Sequence, residues 1–141
     1  MPENVLLPID LQQTESWEMA LTAARRQVDE GGRIHLLGIV PDIGSSMVAT
    51  YLPKGYEVQA LQAMKDGLDR FAKEHFPDGA KVETHVGHGH VAETILKIAK
   101  KARADIIVMA SPQRDELRSI LISSHTNAVV RHSPCSVLVV R

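Results

Sequence analysis

The sequence predicts an α/β fold, a single open, five-stranded, mostly parallel sheet with helices on both faces. Three observations carry this. Five short apolar runs, at residues 5–9, 33–40, 81–86, 104–110 and 136–140, alternate with four stretches of helical periodicity. Most of the runs are continuously apolar, as in strands covered on both faces, instead of strictly alternating. The links between them are long enough for right-handed crossovers, the form that joins parallel strands.

VLLPI, residues 5–9, is the first strand and leads into Asp10. Residues 14–29 follow as a helix: Thr14 or Ser16 can cap its start, and Trp17, Ala20, Leu21, Ala24 and Val28 recur at three- and four-residue steps. Gly31 and Gly32 end it, and RIHLLGIV is the second strand. PDIGSSMVATYLPKG is the longest irregular segment. Residues 57–76 form a long amphipathic helix with Leu61, Met64, Leu68, Phe71 and Ala72 on one stripe. KVETHV is the third strand and alternates polar with apolar residues. HVAETILKIAKKA is the third helix, ADIIVMA the fourth strand, SSHTNAVVRH the last helix and SVLVV the fifth strand. No repeat, low-complexity tract or linker divides the chain, so one domain over residues 1–141 is expected.

Composition narrows the function classes. At 141 residues the chain can bury about 70% of its unfolded surface, enough for one core. Aromatics are only 4%, so Val, Ile, Leu, Ala and Met must fill that core. With 16 basic and 17 acidic side chains the net charge is -1, which lacks the basic excess of a nucleic-acid binder. Cys135 is the lone cysteine, so no internal disulfide forms and a reducing compartment is expected. MPENVLLPIDLQQTES has no basic start and its apolar run is broken by Pro8, unlike a signal peptide. No run approaches the roughly 20 apolar residues of a membrane span. A soluble cytoplasmic protein is expected.

In open parallel sheets ligands bind beyond the carboxyl ends of the strands, where strand order reverses. The candidate positions are therefore Asp10, Val40 and the segment from Ala110 to Ser124. Asp10 can accept hydrogen bonds from a ribose hydroxyl or an adenine amine, or it can simply close a turn on its own backbone. A magnesium-dependent signalling domain of flavodoxin-like fold would need an acidic cluster here, and Asp10 stands alone. Ser123 and Ser124 can cap the last helix or, with its first amides, meet a phosphate. HVGHGH gathers His85, His88 and His90 within six residues, with Glu83 and Glu93 close by. Such spacing suits zinc or nickel, but the flanking Gly87 and Gly89 read as an exposed turn, and no metal site is expected. A zinc-dependent thermal shift would mark the alternative. Cys135 has no CxxC partner and reads as a small apolar residue. GxSxG, HExxH and GxxxxGK[ST] motifs are all absent, and no catalytic residue is expected.

VLLPID at the start, GHVAETILKIAKKARADIIVMAS in the middle and AVVRHSPCSVLVVR at the end resemble the universal stress protein family, the UspA domain. The resemblance runs through the chain in order and is most specific in its final stretch. It implies Rossmann-like winding of the adenine nucleotide alpha hydrolase-like kind, a cytoplasmic location and a homodimer. Nucleotide-binding members carry Gly-x2-Gly-x9-Gly-Ser/Thr after the fourth strand, wrapped around ATP phosphates. Laid on this chain without a gap, those positions are Ala110, Gln113, Ser123 and Ser124. The spacing is kept and all three glycines are missing. The resemblance also implies nucleotide contacts from Pro8 and Asp10 after the first strand, Ile39 or Val40 after the second, Met109 at the end of the fourth and His125 in the last helix.

Those departures have physical weight. Glycine lets backbone amides approach phosphate closely and take positive φ. Gln113 adds a Cβ, Pro112 has no N–H to donate, and Asp115 and Glu116 each repel a phosphate charge by about 1 kcal/mol in a water-like dielectric. Arg114, Arg118 and His125 can supply compensating donors. The expectation is a non-enzymatic, dimeric stress-response module that requires no cofactor and keeps a degenerate site for ATP or AMP. The alternative is a functional ATP- or AMP-binding member with slow ATP hydrolysis. The expected dimer pairs Val137, Leu138, Val139 and Val140 with their copies, because an apolar strand at a sheet edge is an aggregation hazard unless covered.

Overall fold

The computed structural model describes residues 3–11, 14–28, 31–40, 55–77, 79–110 and 124–140. Strands β1 (Asn4–Pro8), β2 (Arg33–Val40), β3 (Val82–His88), β4 (Ile106–Ala110) and β5 (Ser136–Val140) alternate with helices α1 (Thr14–Gln27), α2 (Tyr56–His75), α3 (Val91–Lys101) and α4 (Ser124–His132). The predicted α/β class is the one observed. The sheet has the order β3-β2-β1-β4-β5, and every neighbouring pair is parallel.

Strand pleating sorts β1 between two apolar layers, because alternate side chains point to opposite faces. Val5, Leu7 and Ile9 join Ile34, Leu36 and Val108 under α1 and α2, which contribute Ala20, Leu21, Ala24, Leu68 and Phe71. Leu6 joins Leu37, Ile107 and Met109 under α3 and α4, which contribute Ile95, Ile98, Ala99 and Val129. Leu6 and Leu7 are both completely buried. Each such side chain contributes about 1.5–3 kcal/mol, so a one-residue slip of β1 would keep it buried but scramble both layers. Trp17 ties α1 to α2: its ring meets Phe71 edge-on at 4.9 Å and His75 at 4.7 Å.

The sheet edges follow from this order. β5 lies at one edge, as expected of the closing strand, and Val137, Leu138, Val139 and Val140 are half-buried. β3 forms the other edge, which accounts for its alternating sequence. It also runs two residues further than its apolar pattern suggested, because pairing with β2 continues to Val40 opposite His88. Gly87 makes that extension compatible with α3: a Cβ at Gly87 would collide with Thr94 Cγ2. Gly89, at φ +121°, then turns the chain into α3, a backbone conformation that disfavours a side chain.

Candidate functional site: a crevice between β1 and β4

The order β3-β2-β1-β4-β5 reverses direction between β1 and β4, which places the topological switch point there. Pro8 removes a hydrogen-bond donor from β1 at this point. Odd-numbered residues of β1 direct their backbone toward β2, since Ile9 N–H donates to Leu37 O at 2.9 Å and Glu3 O accepts from Arg33 N–H at 2.7 Å. Even-numbered residues direct theirs toward β4, since Asn4 O accepts from Asp105 N–H at 2.8 Å. Pro8 is therefore where β1 should donate to β4, and it has no N–H. The β1–β4 ladder accordingly holds only Val5 opposite Ile106 and Leu6 opposite Ile107. The β1–β2 ladder runs on to Pro8, and the β4–β5 ladder to Ala110. The carboxyl ends of the two central strands are left without a ladder between them, at the switch point where open parallel sheets place their ligand crevice.

The candidate residues stand around this crevice as follows. Pro8 ends β1 half-buried; buried Ile9 and exposed Asp10 come next, so Asp10 lies two residues past the strand and not at its end. Met109 is buried and Ala110 half-buried at the end of β4. Val40 ends β2, with its carbonyl accepting the N–H of Gly89 at 3.1 Å. α4 starts at Ser124, and His125 is exposed in its first turn. Gln113 and Ser123 lie outside the described residues, as does most of the PDIGSSMVATYLPKG segment. Among the described residues the candidates nearest the switch point are thus buried Met109, half-buried Ala110 and exposed Asp10.

The histidine run differs from its expected form. His85 and His88 are not in a turn but inside β3, where pleating sends them to opposite faces. His88 turns toward α2, with Nδ1 3.4 Å from Glu57 Oε1. His85 turns the other way, with Nε2 2.9 Å from His35 Nδ1 of β2. His90 is the N-cap residue of α3, and its carbonyl accepts from Thr94 N–H and Oγ1–H at 3.0 and 2.6 Å. His35, only 4% exposed, escaped the sequence reading, although a lone histidine inside the apolar run RIHLLGIV was its signal.

Comparison with known proteins matches this architecture to a family. The model of the universal stress protein family matches residues 1–141. Universal stress protein G of Salmonella typhimurium is 25% identical over 143 residues, covering 100% of both chains. The solved structure of MJ0577, a protein of Methanocaldococcus jannaschii, is 27% identical with a TM-score of 0.76 over 98% of this chain and 94% of that one. A universal stress protein of Archaeoglobus fulgidus, solved in complex with dAMP, has a TM-score of 0.61 and 17% identity over 98% of this chain and 97% of that one. The last likeness is one of fold alone. The family match spans every residue from the first strand to the last: this chain belongs to the universal stress protein family.

Proposed function

We propose that residues 1–141 act as one non-enzymatic stress-response module, cytoplasmic and homodimeric through β5, which binds an adenine nucleotide at the β1–β4 crevice. The observation that carries this reading is the early end of the β1–β4 ladder at Leu6 and Ile107, where Pro8 withholds a donor. A crevice at a switch point is where open parallel sheets take ligands. The dAMP held by the Archaeoglobus fulgidus protein supports an adenine monophosphate as the ligand class here.

Each candidate residue has a role set by its chemistry. Pro8, Met109 and Ala110 offer apolar surface to the base, and the Val40 backbone lies beside it. Asp10 accepts from a ribose hydroxyl. Ser124 and His125, in the first turn of α4, and Ser123 before them in the sequence, offer phosphate hydroxyls, amides and the positive end of the helix dipole. Gln113 stands where nucleotide-binding members have a glycine, and the charges of Asp115 and Glu116 disfavour β and γ phosphates. The site therefore favours AMP or adenosine over ATP, measured against glycine-bearing relatives. No cofactor is required for the fold.

Two measurements test this. Mass spectrometry of material released by denaturing the purified protein should show an adenine nucleotide. Calorimetry should show that Ala110→Gly, Gln113→Gly and Ser123→Gly together strengthen ATP binding at least tenfold, about 1.4 kcal/mol. Low-micromolar ATP binding in the parent with no gain in the triple variant would overturn the weakened site. Phosphate release from ATP by the parent protein would favour the hydrolytic alternative.

A further inference from the structure

A second constellation lies at the amino-terminal end of the same sheet, on the face covered by α3. His35 and Glu83 are register partners on β2 and β3, and His85 follows Glu83 by two residues on the same face. One donor atom from each of the three lies within 4.8 Å of the other two. His35 Nδ1 is 2.9 Å from His85 Nε2 and 3.7 Å from Glu83 Oε2. Ligands of a tetrahedral zinc ion, each about 2.0–2.2 Å from the metal, sit roughly 3.3 Å from one another, so the two distances straddle the required spacing.

The surroundings of His35 already fix its tautomer. His35 Nε2 is 2.9 Å from Asn4 Oδ1, and an amide oxygen only accepts. The proton therefore sits on Nε2, and the Nδ1 lone pair points toward His85 and Glu83. A histidine held through its far nitrogen by an oxygen acceptor is the usual outer-shell arrangement around a metal ligand.

We propose that His35 Nδ1, His85 Nε2 and Glu83 Oε2 form a binding site for a zinc-type divalent transition-metal ion, oriented by Asn4 and open to water at a fourth position. Two imidazoles and one carboxylate, with one position left open, suit zinc coordination. Binding requires neutral imidazoles. Burial and then the neighbouring His85 lower the pKa of His35, and burial lowers that of His85. In the metal-free state His85 Nε2–H donates to His35 Nδ1. Coordination moves that proton to His85 Nδ1, with no net change in protons bound.

Two cations oppose the metal. Arg33 Nη1 lies 3.3 Å from Glu83 Oε2, and the charge of Lys101 is felt at His85. Both side chains are exposed and can turn into water. Their opposition supplies a signature that a merely structural histidine pair would lack: removing the Arg33 charge should tighten metal binding.

The test is titration of the chelator-treated full chain with zinc chloride alone, followed by calorimetry, with cobalt substitution read through its visible d–d absorption. One ion per chain should bind. Glu83→Gln and His85→Gln should each weaken binding by about tenfold or more, and Arg33→Ala should strengthen it by about threefold, all with unchanged circular dichroism. His88→Ala with His90→Ala should change nothing. The proposal is overturned if no saturable zinc binding appears below about 100 μM. It is equally overturned if binding survives Glu83→Gln and His85→Gln but is lost with His88→Ala and His90→Ala.

Discussion

His35 Nδ1 and His85 Nε2 lie 2.9 Å apart across β2 and β3, 50 residues apart in the chain. Two imidazoles at that distance share one hydrogen and cannot both carry charge cheaply. Around them stand Asn4 on β1, Arg33 on β2, Glu83 on β3 and Lys101 of α3. Glu83 pulls both pKa values up, but burial outweighs it and both histidines are held below the ordinary 6.5.

That relationship makes the stability of the metal-free protein depend on pH. The unfolded chain takes up protons on these histidines near 6.5, whereas the native state takes them up only at lower pH. Where the unfolded state binds more protons, stability rises with pH. The contribution is complete above 6.5 and is lost as pH falls through that value toward the lower native pKa values. Urea unfolding between pH 7.5 and 5 in the presence of a chelator should show a falling midpoint, and His85→Gln should flatten the fall. A pH-independent midpoint would contradict it.

Gly87 and Thr94 should be energetically coupled. A Cβ at position 87 meets Thr94 Cγ2, so Gly87→Ala should cost about 1–3 kcal/mol through overpacking. Thr94→Ser removes that methyl and keeps the hydroxyl that donates to the His90 carbonyl. The double variant should recover more than half of the loss in thermal or urea denaturation. Additive losses would show that the strain is taken up elsewhere.

Pro8→Val tests the origin of the crevice. The new amide at position 8 should find a β4 carbonyl, extend the β1–β4 ladder and exchange slowly with deuterium. Adenine nucleotide affinity should fall in parallel as the crevice narrows. An amide that exchanges as fast as the exposed termini would mean that the missing donor is not what ends the β1–β4 ladder.

Val139→Asp tests the edge strand. Val139 pairs with Met109 inside the sheet and is half-buried in the monomer. Pairing of β5 with its copy would bring the two added carboxylates close together on one joined sheet, and like charges across strands are destabilising. Light scattering after size exclusion should show the parent as a dimer at micromolar concentration and the variant as a folded monomer. An unchanged mass for both would rule out a β5 interface.

What the sequence by itself determined is local. Pleat alternation and the 3.6-residue period placed the five strands and four helices of the described residues, because those repeats depend on neighbours within one or two turns. Asp10, Val40 and the segment from Ala110 to Ser124 followed as candidates from which residues end which strand, and the single positions within that segment from the family resemblance alone. The tertiary structure decided what depends on strand order. Only the placement of β1 between β2 and β4 shows that Pro8 turns its missing donor toward β4 rather than toward β2. The HVGHGH run misled for the same reason. Spacing grouped His85 with His88 and His90, but β3 extends through His88, and its pleat sends His88 to Glu57 and His85 to a histidine on the neighbouring strand. Periodicity reports how a chain meets its own neighbours, and the partners of His85 come from register, which is settled only when the whole sheet assembles.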